Sequence, residues 1–440
     1  MELMKMPDSL WKDTVTLPSY GTLEHDETTD ILIIGGGMAG ILCAYFLQQA
    51  GARYLLCEAN TIASGTTAKT TAVLSAQHDI LYKDLIKKFG RSKAQLYLQA
   101  NLEALAEYQK LSAAIDCDYE EKPSYIYSTR DKKDEFRREA EALHTLGVAA
   151  EYVETLPLPM NITAAVKFPG QAQFHPLKFL AGIAGGLNIR EHTQIKKIDK
   201  MTAYTGRCKI QADKIIVTSH FPILNTHGMY SAKLYQKRSY VIALENAAQY
   251  DGTFEDERES GLYFRNYKNL LLVGGGDHRT GKQGSNYEAA RDFARRHYPD
   301  ATEKYAWATQ DCISLDGVPY IGQYSASLPD IYVASGFNEW GMTTSMAAAK
   351  ILTDLATGKL NPYTKIFDPS RSMLTTQLFA NLGTTLIDYL TPTKKRCPHL
   401  GCALKWNPLE HSWDCPCHGS RFGENGKLID NPATGDLDEK

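Results

Sequence analysis

Two short segments near the C-terminal end carry residue types that do chemistry: Cys397-Pro398-His399-Leu400-Gly401-Cys402 and Cys415-Pro416-Cys417-His418-Gly419-Ser420. Each arm pairs one thiol with one imidazole, Cys397 with His399 and Cys415 with His418. Two thiolates and two imidazoles suit a 2Fe–2S cluster in which the cysteines hold one iron and the histidines the other. The same four groups also make a tetrahedral zinc site. Zinc fingers usually keep the Cys pair on one arm and the His pair on the other. Here each arm supplies one of each, which is what two separate irons want. A plain disulfide pair is the remaining reading.

A second stretch of this kind lies near the start. Residues 30–34 are a short apolar run, read as a buried parallel strand. Gly35-Gly36-Gly37-Met38-Ala39-Gly40 follows and opens a helical stretch over 41–49. Gly35 makes the tight turn, Gly37 lets backbone approach a pyrophosphate, and Gly40 lets helix and strand pack closely. The helix N-terminus then meets the phosphates. The next strand, 54–58, ends in Glu58, placed to accept hydrogen bonds from ribose hydroxyls. The loop 63–72, with Thr66, Thr67 and Thr71, offers hydroxyl and backbone donors to such a cofactor.

The C-terminal arms resemble the Rieske proteins, specifically the disulfide-containing type of cytochrome bc complexes. The resemblance covers about the last fifty residues. It implies that Cys397 and Cys415 bind the inner iron, that His399 and His418 bind the outer one, and that Cys402 and Cys417 form a disulfide. Ser420 matches the family serine whose hydroxyl donates to a cluster sulfur. Where high-potential members have a tyrosine this chain has Phe422, so a lower potential is expected. The glycine motif with its hydroxyl-rich loop resembles the FAD-dependent amine and amino-acid oxidases of the D-amino-acid-oxidase-like fold. That resemblance runs over about 30–358 and implies FAD rather than NAD. It further implies that Gly336 ends a returning strand, and that backbone around Gly341, Met342 and Thr343 opens a helix aimed at the flavin, where N–H groups stabilise negative charge.

These residues need a scaffold. The expected fold is α/β plus α+β: a Rossmann-like FAD-binding domain interleaved with an antiparallel-sheet substrate domain, and a small all-β Rieske domain. The expected division is an N-terminal extension (1–29), the oxidoreductase (30–358), a linker that partly packs (359–391) and a shortened Rieske domain (392–440). A helix is expected over 82–111 with Ala94, Leu98, Leu102 and Leu105 buried. A strand is expected over 119–128 and a charged helix over 132–146. The runs 241–244, 262–265 and 270–276 suit the antiparallel sheet. His175, before Pro176, is expected to be structural. His278 and Arg265 could line a substrate pocket, although surface or core roles fit each singly. Few strands are legible around the cluster loops, so that domain is expected to lean on its neighbour.

The chain has 440 residues and a net charge of −3, which gives no reason to expect a nucleic-acid partner. Residues 31–52 carry no charge but are interrupted by glycines, so no transmembrane segment is expected; the polar N-terminus does not read as a signal peptide. A cytoplasmic location is the default, in tension with a disulfide. FAD can accept two electrons as hydride and a one-electron centre can drain it in two steps. The leading expectation is therefore oxidation of a small amine or amino acid, with electrons passed through the cluster to an external acceptor; reverse flow is equally allowed. His399 and His418 are expected to face solvent. No residue pair stands out as general acid and base. The rivals are an FAD-binding redox module that turns over no metabolite, and a flavin oxidase with a structural zinc site.

Overall fold

An apolar run without alternation belongs in the middle of a parallel sheet covered on both faces. The computed structural model describes residues 9–224 and 227–437 and places that run in the strand Glu27–Ile34, which starts earlier than expected. It pairs in parallel with Tyr54–Cys57 on one side and Lys209–Val217 on the other. Ile189–Arg190 and Leu328–Ser335 continue the parallel order outwards, and Tyr320–Ser325 closes one edge antiparallel. The sheet thus returns to distant parts of the chain, the interleaving expected. Helices Met38–Gln49 and Gly341–Ala356 pack against each other. Ile41, Leu42 and Leu47 of the first and Met346, Ile351 and Leu352 of the second are buried in one core. Each such side chain contributes about 1.5–3 kcal/mol.

The second sheet has nine strands. Its longest-paired strand next to one edge is Leu234–Glu245, antiparallel to both Leu270–Arg279 and the edge strand Thr302–Ser314. Side chains alternate across it. Tyr240, Ile242 and Leu244 join a core with Phe293 of the helix Glu288–His297, whereas Val241, Ala243 and Trp307 join the core shared with the first sheet. One face of this sheet is therefore turned towards the nucleotide-binding domain.

The expected helix over 82–111 is two, Tyr82–Phe89 and Arg91–Ser112, because Gly90 breaks it at φ +81°. Ala94, Leu98 and Leu105 are buried there and Leu102 is half-buried. From residue 9 onwards the expected N-terminal extension packs on the oxidoreductase. Leu10 and Trp11 are fully buried in the main core, and the Trp11 indole donates to the Thr70 carbonyl at 2.7 Å. Within the expected linker, Thr375 caps a helix, Thr376–Leu390. That helix turns Asn381 and Asp388 inwards while Phe379, Leu386, Ile387 and Leu390 stay exposed. The C-terminal domain holds more sheet than its sequence suggests. Lys405–Asn407, Ser412–Asp414, Arg421–Gly423 and Leu428–Asp430 form a four-stranded antiparallel meander. Three-residue strands are too short for alternation to be read. Among the described residues no helix is long and apolar enough to cross a membrane.

Candidate cofactor sites

The glycine turn shows why its residues are small. Gly35 sits at φ +110°, and a Cβ there would lie 2.7 Å from the Thr218 carbonyl oxygen. At Gly40 a Cβ would stand 1.8 Å from the Gly35 carbonyl, so helix and strand touch backbone to backbone. Thr67 Oγ1 accepts from the Met38 N–H at 3.0 Å, which brings the hydroxyl-rich loop onto the helix N-terminus. Glu58 closes the turn, accepting from the Gly36 and Asn60 N–H groups at 2.7 and 2.8 Å. Burial raises its carboxyl pKa while these donors hold it down. Together the elements enclose a cavity of about 630 Å³. Gly35, Gly37, Met38, Ala39, Glu58, Thr66, Thr67, Gly336, Gly341 and Met342 all line it. Gly40 serves packing instead. Thr71 lines a smaller recess with Arg265 and Trp340, and Thr343 is 1% exposed with its hydroxyl accepting from the Ser75 N–H at 2.9 Å. A glycine cradle, a hydroxyl loop, an acid and helix N-termini around one elongated cavity fit FAD.

The two C-terminal arms bring their ligand-type groups together. Cys397 and Cys415 are both buried, and their thiols interact: the Cys415 sulfur holds the Cys397 thiol below its usual pKa, with help from the His399 N–H and the Ser420 hydroxyl. The Cys415 thiol is pushed well up by its neighbour and by burial. The imidazoles of His399 and His418 stand 4.9 Å apart, edge to face. Burial lowers their pKa values to about 4 and about 3, so both are neutral near pH 7, the state that binds a metal. His418 Nδ1 is buried and makes no hydrogen bond, while the ring is held by the Ser231 backbone. An orphaned buried nitrogen on a ring fixed through its other side is what an iron ligand requires. Cys402 and Cys417 form a disulfide with Cα atoms 6.7 Å apart. Ser420 accepts from the Ala433 N–H at 3.0 Å and donates towards Cys397. Phe422, fully buried in the domain's small core, has no hydroxyl to add.

The expectation that the histidines face solvent is corrected at His418, which is 2% exposed. The cluster loop is docked into the oxidoreductase, and Phe221 lies against both imidazoles at 6.1 and 6.0 Å. Gln236 donates to the His418 carbonyl at 2.7 Å and Gln310 to the Gly419 carbonyl at 2.9 Å. Arg279 donates to the carbonyls of Pro416 and Cys417, each at 2.8 Å. Gly419, at φ +86°, leaves room for Gln236, whose Cβ would be 2.6 Å from an added Cβ. A buried ion network adds to this: Glu410 pairs with Arg238 of the large sheet and with Arg421 at 2.8 Å, and Arg421 also pairs with Asp414 at 3.0 Å.

Sequence reading missed how the sites meet. Residues 428–431 and 433–436 of the C-terminal domain line the same cavity as the glycine turn, as do Lys69 and Asp311. Lys69 is a cation turned into the cavity, its pKa lowered by burial and partly restored by Asp430. It stood inside the hydroxyl-rich loop and could have been picked out as that loop's only charge. His175 is structural, capping the following helix through Lys178 and bonding Thr14 at 2.7 Å. His278 stacks on Tyr240. Arg265 is buried and spends its guanidinium on the carbonyls of Thr71 and Ala72.

Comparison with known proteins agrees with this construction. Residues 30–355 match the FAD dependent oxidoreductase family and residues 388–439 match the Rieske [2Fe-2S] domain. The chain belongs to the FAD-dependent oxidoreductase family and carries a C-terminal Rieske domain; the first binds FAD and the second a 2Fe–2S cluster. It is 35% identical to a Bacillus subtilis protein named as a Rieske 2Fe-2S iron-sulfur protein, YhfW, over 97% of this chain and 96% of that one. A short segment, 8% of this chain, is 51% identical to iron-sulfur subunit 3 of the cytochrome b6-f complex of a Nostoc species, covering 21% of that subunit. Among solved structures, L-proline dehydrogenase from P. horikoshii and glycine oxidase from Geobacillus kaustophilus each superpose with a TM-score of 0.66 over 79% of this chain. They cover 98% and 100% of those chains at 17% and 19% identity, which shows a shared fold.

Proposed function

We propose that the protein oxidises a carbon–nitrogen bond of a small amine or amino acid and delivers the electrons through the Rieske centre to an external acceptor. The observation that carries this reading is the shared wall: the cluster loop is bonded to Gln236 and Gln310, and Gln310 and Asp311 are consecutive on a strand that faces the FAD cavity. When bound, FAD supplies a two-electron acceptor and the cluster a one-electron carrier. In the proposed reaction the amine loses a C–H and an N–H bond to become an imine. FAD, held by the glycine turn and the hydroxyl-rich loop, would supply the acceptor for the electron pair and one proton; a second proton would leave to solvent, and water would hydrolyse the imine to a carbonyl and an amine or ammonia. The chain's own contribution is orientation and exclusion of water by the nine-stranded sheet. The similarity in fold to a glycine oxidase and an L-proline dehydrogenase fits a C–N substrate. Cys397, His399, Cys415 and His418 are the proposed cluster ligands, and the cavity-lining Gly35, Gly37, Met38 and Ala39 the proposed FAD contacts.

The test is anaerobic mixing with a panel of amines and amino acids, followed by visible absorption and low-temperature EPR. Flavin bleaching together with the rhombic signal of a reduced His-ligated cluster is expected. Bleaching without any cluster signal would remove the relay, and no bleaching by any C–N compound would favour a redox module without metabolite turnover.

A further inference from the structure

The sheet face turned towards the FAD cavity carries an unusual charge pattern. Strand alternation puts Lys237 and Ser239 on that face, with Asp311 and Thr309 directly opposite them on the neighbouring strand. Glu255 and Tyr263, paired across two further strands, point the same way, since Phe254 and Phe264 fill the opposite core. Asp277 would face away by simple alternation. The register shift between Arg238 and Tyr240 re-aims it, so that it approaches Ser239. Asp79 and Glu339 close in from the nucleotide-binding domain. Five carboxylates, Asp79, Glu255, Asp277, Asp311 and Glu339, thus surround a single ammonium, Lys237.

Three further observations say what this face would accept. Thr309 Oγ1 is buried without a hydrogen bond on a residue 7% exposed, and Asp277 Oδ1 is likewise unpaired. Trp340, also 7% exposed, turns its indole N–H towards Asp79 and lines the recess with Glu255 and Tyr263. Buried polar atoms are rarely left so without a ligand or water. Next, the cations on and beside this face are engaged. Lys237 is held by Glu339 at 3.1 Å and Glu259 at 3.6 Å, Arg238 by Glu410, Arg265 by backbone carbonyls and Arg279 by the cluster loop. Lys69, the cation of the hydroxyl-rich loop, is matched by Asp430, so among the described residues the sheet face itself leaves no guanidinium or ammonium for a substrate carboxylate. Finally, the acids do not converge as for a metal ion: among the described residues only Cys402, Cys415 and Cys417 bring three ligand atoms within 4.8 Å of one another. Spread carboxylates suit an extended cation. Burial and mutual repulsion raise the acids' pKa values, Asp79 to about 6, Asp311 to about 7, and Glu255 and Asp277 well above the usual range, an electrostatic load that a bound cation relieves.

We propose that the substrate is an amine that lacks a carboxylate and carries a second positive charge several bonds from the oxidised C–N bond, as in a diamine or polyamine, with Asp311, Glu255 and Asp277 determining that specificity. The inference rests on the C–N oxidation reading above and narrows its substrate.

The experiment pairs anaerobic flavin bleaching with equilibrium binding on the holoenzyme. The probes are 1,4-diaminobutane, a triamine, butylamine, glycine and L-proline. The diamine or triamine is expected to bleach the flavin at concentrations at least tenfold below butylamine, and the amino acids not at all. In Asp311→Asn and Glu255→Gln the half-saturating diamine concentration is expected to rise at least tenfold while that of butylamine moves less than threefold. Retained flavin absorbance and an unchanged melting temperature certify the fold. Bleaching by glycine or L-proline in preference to the diamines would overturn the proposal and leave C–N oxidation standing. Equal response to diamine and butylamine, or variants that change neither, would overturn it too. If nothing bleaches the flavin, the oxidation reading falls, and calorimetric titration with 1,4-diaminobutane decides the site: micromolar binding lost in Asp311→Asn supports it, and no heat of binding overturns it.

Discussion

Ser420 shows how much one hydroxyl can decide. It donates towards Cys397 and is itself fixed by the Ala433 N–H. A hydrogen bond to a charged acceptor is worth about 1.5 kcal/mol, and for a one-electron couple a tenfold change in equilibrium is about 59 mV. Ser420→Ala is therefore expected to lower the cluster's midpoint potential by on the order of 60 mV, read by EPR-monitored redox titration. Phe422→Tyr should move it the other way, provided the added hydroxyl reaches a sulfur from its buried position. The proposed ligands make a sharper prediction. His418→Ala removes the orphaned Nδ1, and the purified protein should lose its iron and acid-labile sulfide while keeping its flavin bands. Loss of flavin as well would mean that the docked loop holds the cavity together. These residues were legible in sequence because a ligand pair two or three residues apart needs no tertiary knowledge. The burial of His418 was not, since it comes from Gln236 and Phe221, far away in the chain.

At the scale of elements, the strand–glycine–helix unit was legible for the same reason: its geometry is local. Gly40 is its tightest point, and Gly40→Ala places a methyl 1.8 Å from the Gly35 carbonyl. Overpacking of this kind costs about 1–3 kcal/mol or more, so the variant should purify with little flavin and a lowered melting temperature. The acids of the sheet face were not legible. Asp277 reaches their face only through a β-bulge, and strict alternation assigns it to the wrong side. Asp316 offers a test of the segment after the Gly341–Ala356 helix, because Arg371 clasps it at 2.8 and 3.0 Å and Lys88 approaches at 3.3 Å. These cations hold its carboxyl below the ordinary range despite burial. A depressed folded-state pKa contributes stability that is present above the unfolded value, roughly pH 4, and is lost as pH falls through the folded one. Asp316→Asn should therefore cost about 3 kcal/mol at pH 7 by leaving Arg371 buried and unpaired. The gap from the parent should close progressively below pH 4 in denaturant melts.

At the scale of the molecule, two domains that sequence presents as separate are docked on one another through the cluster loop. The few strands legible in 392–440 predict that it leans on its neighbour, but not which residues of the oxidoreductase receive it. That support is polar and buried: Glu410 ties Arg238 of the nine-stranded sheet to Arg421 of the cluster domain, and Tyr240 adds a hydroxyl at 3.2 Å. The two guanidinium groups hold the Glu410 carboxyl below the usual range even though it is buried. Glu410→Ala leaves Arg238 and Arg421 facing each other across the interface, which costs about 3–5 kcal/mol by the measure of broken buried pairs. Asp414 and Asp430 remain on Arg421, so the cluster domain itself should stay folded and the deficit should fall on docking. The expected result is a protein with normal iron and flavin content whose cluster is reduced more slowly after flavin bleaching, by tenfold or more in anaerobic stopped-flow traces. Added salt should relieve part of the defect, because it screens the repulsion between Arg238 and Arg421. Unchanged cluster reduction in Glu410→Ala would mean that the backbone contacts of the His418 loop suffice to hold the path closed.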